Sequence, residues 1–578
     1  MIMKGTKHLR KEFVNKKKTG LPPQNNKWWL PLLGIIPLTF ILFAPGIGNG
    51  FTNWDDPTYI LDNPLIREFS ITNIKKIFTE VYFANYQPLH IFSYAIEYQF
   101  FKDNAAGYHV ISILMHLVCT VLVSWLAWLI TRDGLVPAIA ALFFGIHPMH
   151  MESIAWAAER KDMLYAMFFF LSLIWYVKYI QSGEKRLYLI YAFLFFTLSI
   201  FSKTMAACLV PMLILFDFFY RRKISTGVIV EKIPFFLVAF VMGIVAVLSA
   251  KESGSIDTNE SFSFLERMLF ACNNLFMYFF KLVIPINLSA YYPYPEKTGG
   301  LLPWNYYVSP VFVIALVAGC IYSLKHTRYI FLLIGFFVIS IFLVLQLLPV
   351  GPAIFSERYS YIPSAGFFML LALGLSRIME NKRPFLKSMK NAMIAVTGVW
   401  CMWLCVVTWQ RNAVWKDSIA LWNDVISQFD KALHAYNNRA DAFYKTGNYE
   451  GAIRDLSMAI SLNERYALAW YNRGNAYGQL GKFNEAWNDL NRALQLEPDN
   501  ADALNKRGQA NAVLGNRDDA FSDFNRAASL DPTNPEIHYN IGITWVNSGN
   551  TAEACKSLSR AVGMHYQPAI KAFNDLCK

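Results

Sequence analysis

The sequence predicts an all-α protein in two parts: a polytopic bundle of about eleven membrane spans with added interfacial helices, then an α-solenoid. Three observations carry this. Apolar runs of bilayer length recur as far as residue 410 in a 578-residue chain that is 55% hydrophobic and 16% aromatic. Lysine and arginine collect in short clusters between those runs. Beyond residue 432, Gly447, Gly481, Gly515 and Gly549 recur every 34 residues, as do Ala452, Ala486, Ala520 and Ala554.

Residues 1–27 form a basic segment with Lys4, Lys7, Arg10, Lys11, Lys16, Lys17, Lys18 and Lys27. It is read as cytoplasmic. No small-residue cleavage site follows the first apolar run, so 28–48 is a retained span rather than a signal peptide. The other spans are 108–131, 134–149, 163–180, 186–201, 204–220, 233–250, 305–324, 329–349, 361–378 and 390–410. The stretch 267–284 is apolar but broken by Arg267, Asn273, Asn274 and Lys281.

Charge decides its role. With the N-terminus inside, the clusters Lys178 to Arg186, Arg221 to Lys223, Lys325 to Arg328 and Arg377 to Lys390 all face the cytoplasm only if 267–284 does not cross. It is therefore an interfacial or re-entrant helix in a transmembrane domain spanning 28–410. The formal charge of +12 belongs to this positive-inside pattern, not to nucleic-acid binding.

The loops 49–107, 147–162, 251–304 and 350–360, and everything after 410, then face outward. The first loop carries two amphipathic candidates, 70–80 and 87–101, expected along the membrane surface. Residues 411–432 form a connecting half-repeat. Four repeats (433–466, 467–500, 501–534 and 535–568) follow without insertion, and 569–578 caps them within a repeat domain of 433–578. The eight cysteines show no metal or disulfide-framework spacing; Cys555 and Cys577, both near the C-terminus, could pair if that end lies in an oxidising compartment, but the sequence does not give their geometry.

Five groups of residues carry candidate chemistry. Asp55 and Asp56 follow the first span directly. They either cap and solvate the turn at Pro57 or supply a general base, and their position at the outer boundary favours the base, with Asp56 ahead. His147, His150 and Glu152 lead into Glu159, Arg160 and Asp162. On one helix beginning near residue 150, Glu152 and Glu159 would share a face. The group is a polar site wall with Arg160 on an anion, a metal site for Mg²⁺ or Mn²⁺, or an interfacial charge cluster; its spacing matches no zinc pattern. Lys203 either snorkels or contacts a lipid phosphate. Arg358, beside Tyr359, either clamps a phosphate or pairs with an acid. On the repeats, Asn438, Asn472 and Asn540 share one register, facing either a bound peptide or water.

Taken together, Asn53-Trp-Asp-Asp56, His147-Pro-Met-His-Met-Glu-Ser153, Glu159-Arg-Lys-Asp162, Ser202-Lys203 and Glu357-Arg-Tyr-Ser-Tyr361 followed by the repeats resemble the transmembrane and tetratricopeptide repeat-containing O-mannosyltransferases and their prokaryotic relatives. The resemblance covers nearly the whole chain. It implies a GT-C glycosyltransferase fold that takes a sugar from a polyprenyl-phosphate carrier to a hydroxyl acceptor, a protein by the simplest reading. Asp55 or Asp56 would be the base and Arg358, Arg160, Lys203 and Tyr359 the donor-binding groups. Glu159-Arg-Lys-Asp162 departs from the Gly-Arg-Ala-Asp-like version expected of animal members, which favours a prokaryotic inner-membrane protein with periplasmic repeats and leaves the sugar open. The competing readings are a membrane-anchored repeat scaffold for envelope or secretion assembly, and a lipid-linked glycan polymerase or ligase.

Overall fold

The computed structural model describes residues 27–83, 85–252, 262–347, 351–380 and 384–577. The basic cluster before Lys27, and parts of the 251–304 and 350–360 loops and of the Arg377 to Lys390 cluster, lie outside them. Contacts divide the chain into two compact units, Met1–Asp417 and Ser418–Lys578. Residues 411–417 thus go with the membrane unit, not with the connecting half-repeat.

Among the described residues of the first unit, six helices are long and apolar enough to cross a membrane: Ala105–Thr131, Ala157–Gln181, Thr226–Ser249, Trp304–Ser323, Glu357–Glu380 and Met389–Val414. Five shorter apolar helices join them: Leu32–Gly48, Val136–Ile146, Arg186–Ser202, Thr204–Phe219 and Arg328–Val344. These segments fall on the eleven predicted spans. The chain is an integral membrane protein of helical class.

The stretch between spans seven and eight folds as Phe264–Val283, opened by a Ser263–Glu266 capping box. Its polar residues turn inward. Asn274 donates to the Ile354 carbonyl at 2.9 Å, and Lys281 to those of Ile286 and Asn287, each at 2.9 Å. Leu265, Met268 and Phe276 are left exposed. This one-sided pattern suits an interface better than a crossing.

Of the two first-loop helices, Ile71–Thr79 buries only Ile77. Pro88–Phe101 instead buries His90, Ile91, Tyr94, Ala95, Glu97 and Tyr98, so it packs into the unit and does not simply float on the membrane surface. Among the described residues a small sheet pairs Tyr292–Pro293 antiparallel with Ala353–Phe355, tying two loops together.

The second unit is a stack of helix pairs: Leu433–Lys445 with Tyr449–Leu462, Ala467–Gln479 with Phe483–Leu496, Ala501–Leu514 with Arg517–Leu530, and Pro535–Asn547 with Thr551–Gly563. Ser418–Gln428 precedes them and Gln567–Leu576 closes the stack. The periodic glycines have φ of 79°, 74°, 87° and 76°, left-handed values that end the first helix of each pair at no Cβ cost.

The first three pairs are also locked by charge. Arg439, Arg473 and Arg507 make two-pronged bonds to Asp455, Asp489 and Asp523, all at 2.6–2.9 Å. The same arginines reach back to Asn423, Ser457 and Asn491. Asn423 therefore sits one period before Ser457, and Ser418–Gln428 plays the second helix of an incomplete repeat. Cys555 and Cys577 form a disulfide that fastens the closing helix.

Candidate active site

The loop after the first helix folds back over residues 152–162, and Asp56 is its tether. The buried Asp56 carboxylate accepts from the Thr52 N–H at 2.7 Å, the Thr52 hydroxyl at 3.0 Å and the Ala158 N–H at 2.7 Å. Burial pushes this carboxyl up to about 7, against the pull of those three bonds. Asp55 is different. It is partly exposed, and among the described residues its carboxylate accepts no hydrogen bond. Burial still raises its pKa, opposed chiefly by the nearby Lys161 ammonium. Trp54 stacks on Trp156 at 4.4 Å, which in turn stacks on Trp415 at 6.0 Å, so the loop carrying both acids is held by rings as well as by hydrogen bonds.

Below the loop lies a buried cluster of alternating charge. Glu159 meets Lys161 at 3.1 Å, Arg358 at 3.5 Å and Lys203 at 3.8 Å. Lys203 also pairs with Asp162, whose other oxygen accepts from Ser153 at 3.2 Å. Arg358 pairs with Glu152 through its guanidinium and through its backbone N–H at 2.9 Å. The Tyr359 ring lies beside both cations, 5.3 Å from the Lys203 ammonium and 4.9 Å from the Arg358 guanidinium. Burial raises the Glu152 carboxyl to about 7, with Arg358 working against it. Four separate stretches thus converge: Asp55, Glu152 to Asp162, Lys203, and Arg358 with Tyr359.

Several expectations need correcting. No single helix runs from residue 150. Met151–Ala155 ends at Trp156, which is extended (ψ 110°), and a new helix starts at Arg160. Glu152 and Glu159 meet through Arg358 rather than along one helix face. The break also sets the rotation of the next helix, so Lys161 enters the cluster and Arg160 turns away. Arg160 is fully buried against Glu97 and the Tyr108 carbonyl, between the Tyr94 and Tyr108 rings. It holds the first loop to the bundle and presents no face to an anion.

Lys203 neither snorkels nor faces lipid, because its ammonium is buried between two carboxylates. His147 and His150 do not fit a metal. The first donates to the Leu282 carbonyl (3.1 Å) and accepts from Met149; the second is shared between the Phe144 carbonyl and the Ser364 hydroxyl. Both nitrogens of each ring are taken. Among the described residues no three His, Cys, Asp or Glu side chains are grouped to hold a metal ion.

On the repeats, Asn472 donates to Asn437 at 3.0 Å and Asn540 to Asn505 at 2.9 Å, while Asn438 accepts from Asn437 at 3.3 Å. The asparagine row is therefore partly spent on joining successive repeats. Lys506, in the remaining unit, pairs with Glu536 at 2.6 Å.

Sequence reasoning passed over Lys161, although it stands inside a quoted motif, and Glu97, Trp156 and Thr52. Adjacency to Glu159 was the available signal for Lys161. Glu97 had none, since its partner lies 63 residues away. Glu357, beside Arg358, faces the other way and accepts from the Ser289 N–H at 2.7 Å and the Tyr292 hydroxyl at 2.6 Å.

Fold and site define a class: a polytopic helical membrane protein with a buried ionic centre under a tryptophan-bearing loop, joined to a helical-repeat domain. Residues 440–481 and 474–515 match the family model described as TPR repeat. Over 458 residues the chain is 24% identical to Protein O-mannosyl-transferase F38B6.6 of Caenorhabditis elegans, covering 75% of this chain and 63% of that one. Over 504 residues it is 22% identical to Protein O-mannosyl-transferase TMTC4 of Homo sapiens, covering 75% and 66%. It thus spans just under two thirds of the length of these relatives. A solved structure of MamA is 23% identical with a TM-score of 0.24, covering 26% of this chain and 89% of that one. Over three quarters of its length the chain is thus similar to curated protein O-mannosyl-transferases, and its repeats match the TPR model.

Proposed function

We propose that the chain is a GT-C type glycosyltransferase that moves a sugar from a polyprenyl-phosphate carrier to a hydroxyl on a protein, on the extracytoplasmic face of a prokaryotic inner membrane. The observation that carries this reading is the contrast between the two adjacent aspartates. Asp56 is occupied by three donors, whereas Asp55 is a partly exposed carboxylate beside a cationic cluster with nothing bound to it. A carboxylate so placed is a general base. It takes the proton of the acceptor hydroxyl as that oxygen attacks the anomeric carbon. The bond from that carbon to the carrier phosphate breaks on the opposite face, and configuration inverts. Asp56 is the tether that positions the base, which reverses the preference drawn from sequence.

The departing phosphate gains negative charge, and Lys161, Lys203 and Arg358 are the cations within reach of the cluster to stabilise it. An apolar cavity of about 560 Å³, lined by Tyr86, Phe201, Leu237, Val241 and Val245, suits the isoprenoid tail. Phe201 lies two residues before Lys203, so the tail's groove and the cationic cluster share one short stretch of chain. The repeats recruit the acceptor. A hollow of about 100 Å³ among Tyr444, Gln479, Phe483, Lys506 and Gln509 offers donors and rings to an extended peptide.

The test is to incubate membranes holding the full chain with a panel of radiolabelled polyprenyl-phosphate sugars. Wild type is expected to label protein from at least one of them. Asp55→Asn is expected to lose that labelling while folding normally. Labelling that survives Asp55→Asn but is lost on changing repeat residues would refute the assignment.

A further inference from the structure

A second cavity, of about 660 Å³, lies at the opposite end of the sixth span. The helix Thr204–Phe219 starts next to Lys203 and ends just before Arg221, so roughly 25 Å of helix separates this cavity from the ionic cluster. Its walls are of two kinds. Ile214, Phe218, Ile229 and Phe236 line it and are exposed. Arg221, Arg222, Lys223, Lys232 and Arg328 line it as well.

Its acids are already used. Asp217 meets Arg222 at 2.9 Å and Lys232 at 2.5 Å, and Glu231 meets the same two at 2.6 and 3.0 Å. The hydroxyls of Tyr176 and Tyr179 donate to these carboxylates, each at 2.7 Å. Glu184 takes the remaining end of Arg222 at 3.1 Å. This network gives Arg222 and Lys232 their carboxylate partners. Arg221, Lys223 and Arg328 have no carboxylate partner among the described residues; Arg328 donates only to the Phe218 carbonyl at 2.5 Å. Three uncompensated cations therefore stand over an apolar pocket at a membrane boundary.

We propose that this cavity binds an acidic diacyl phospholipid, with its phosphate on Arg221, Lys223 and Arg328 and its acyl chains along Ile214, Ile229 and Phe236. Basic pockets between spans are suited to such headgroups. A neutral zwitterionic lipid would bring its own cation against three others. A soluble phosphate would leave the apolar wall uncovered. The cavity shares no residue with the proposed catalytic cluster, so the proposal stands or falls separately from the transfer reaction.

Native mass spectrometry of the full chain in detergent reads it directly, with phosphatidylglycerol, phosphatidylcholine and free glycerol 3-phosphate as probes. Wild type is expected to retain phosphatidylglycerol in preference to the other two. Each cation near an acidic headgroup is worth about fivefold, so R221Q, K223Q and R328Q together should weaken retention on the order of 100-fold. The exposed single variant K223Q, which disturbs no described contact, should weaken it about fivefold and serves if the triple variant fails to fold. Equal retention of phosphatidylcholine, unchanged retention in K223Q, or displacement by glycerol 3-phosphate at comparable concentration would each overturn the proposal.

Discussion

Exchanging the two aspartates for asparagine one at a time should separate a tether from a base. Asparagine at position 56 has one acceptor oxygen and one NH₂. It serves either Thr52 or Ala158, and the other N–H is left facing a donor. Losing one hydrogen bond and stranding a buried N–H together cost about 2–3 kcal/mol. Against this, the Asp56 carboxyl is raised from 3.8 to about 7. The folded state therefore binds a proton that the unfolded state has lost, and wild-type stability from this group falls as pH rises between those values. Linkage over pH 5 to 8 amounts to roughly 2–3 kcal/mol. Asparagine carries no such dependence. The Asp56→Asn variant should thus be clearly less stable than wild type at pH 5, with the gap nearly closed at pH 8. Tryptophan-fluorescence unfolding of both proteins at the two pH values measures it. Asp55→Asn, which gives up no hydrogen bond, should escape that loss of stability at pH 5 while losing on the order of 10²–10⁴ in transfer rate. A stability gap that widens with pH would show that the three donors hold Asp56 ionised, and the reasoning from burial would fail.

Arg358→Ala should destabilise by about 3–5 kcal/mol because it leaves Glu152 buried without its cation; adding Glu152→Gln should restore part of the melting temperature and none of the transfer. The transfer rate should rise with pH along an acid limb lying above the ordinary aspartate value of 3.8, since Asp55 works deprotonated, and that limb should vanish in Asp55→Asn. Reducing the Cys555–Cys577 bond, which spans 22 residues, should cost about 3 kcal/mol; hydrogen exchange should show the loss in Gln567–Leu576 first.

The spans and repeats were legible because each rests on a signal that needs no tertiary contact: bilayer-length hydropathy in one case, a 34-residue period in the other. The convergence of four loop motifs was legible too, because charge placed them on one face. What stayed hidden was rotation. Arg160 and Lys161 are neighbours, and which one enters the cluster depends on where the helix restarts after Trp156, a break that no proline or glycine announces. The histidines stayed hidden for a related reason. Their partners at Leu282 and Phe144 are backbone carbonyls, which have no sequence signature. The Arg–Asp ladder of the repeats was present as a 34-residue recurrence of both residues, but only the fold brings positions 16 apart into contact.

The same cluster argues that this network is kept for something other than stability. Counting Asp56 beside Asp55, the five carboxylates Asp55, Asp56, Glu152, Glu159 and Asp162 stand with three cations, Lys161, Lys203 and Arg358, among the described residues, an excess of two. Well-packed apolar residues in place of buried ion pairs are often as stable or more so. A cluster retained at that cost, with an excess of acid, has two carboxyls, Asp56 and Glu152, raised to about 7. At neutral pH these two are partly protonated, and that brings the local charge closer to balance. An anion arriving beside Lys203 and Arg358 repels the remaining negative charge and is accommodated by further protonation, without the cations leaving their partners. On the function proposed above, such a site would take up a phosphate by shifting protons rather than by breaking salt bridges, and Asp55, which has no hydrogen bond to give up, would be the carboxylate left to act on the acceptor.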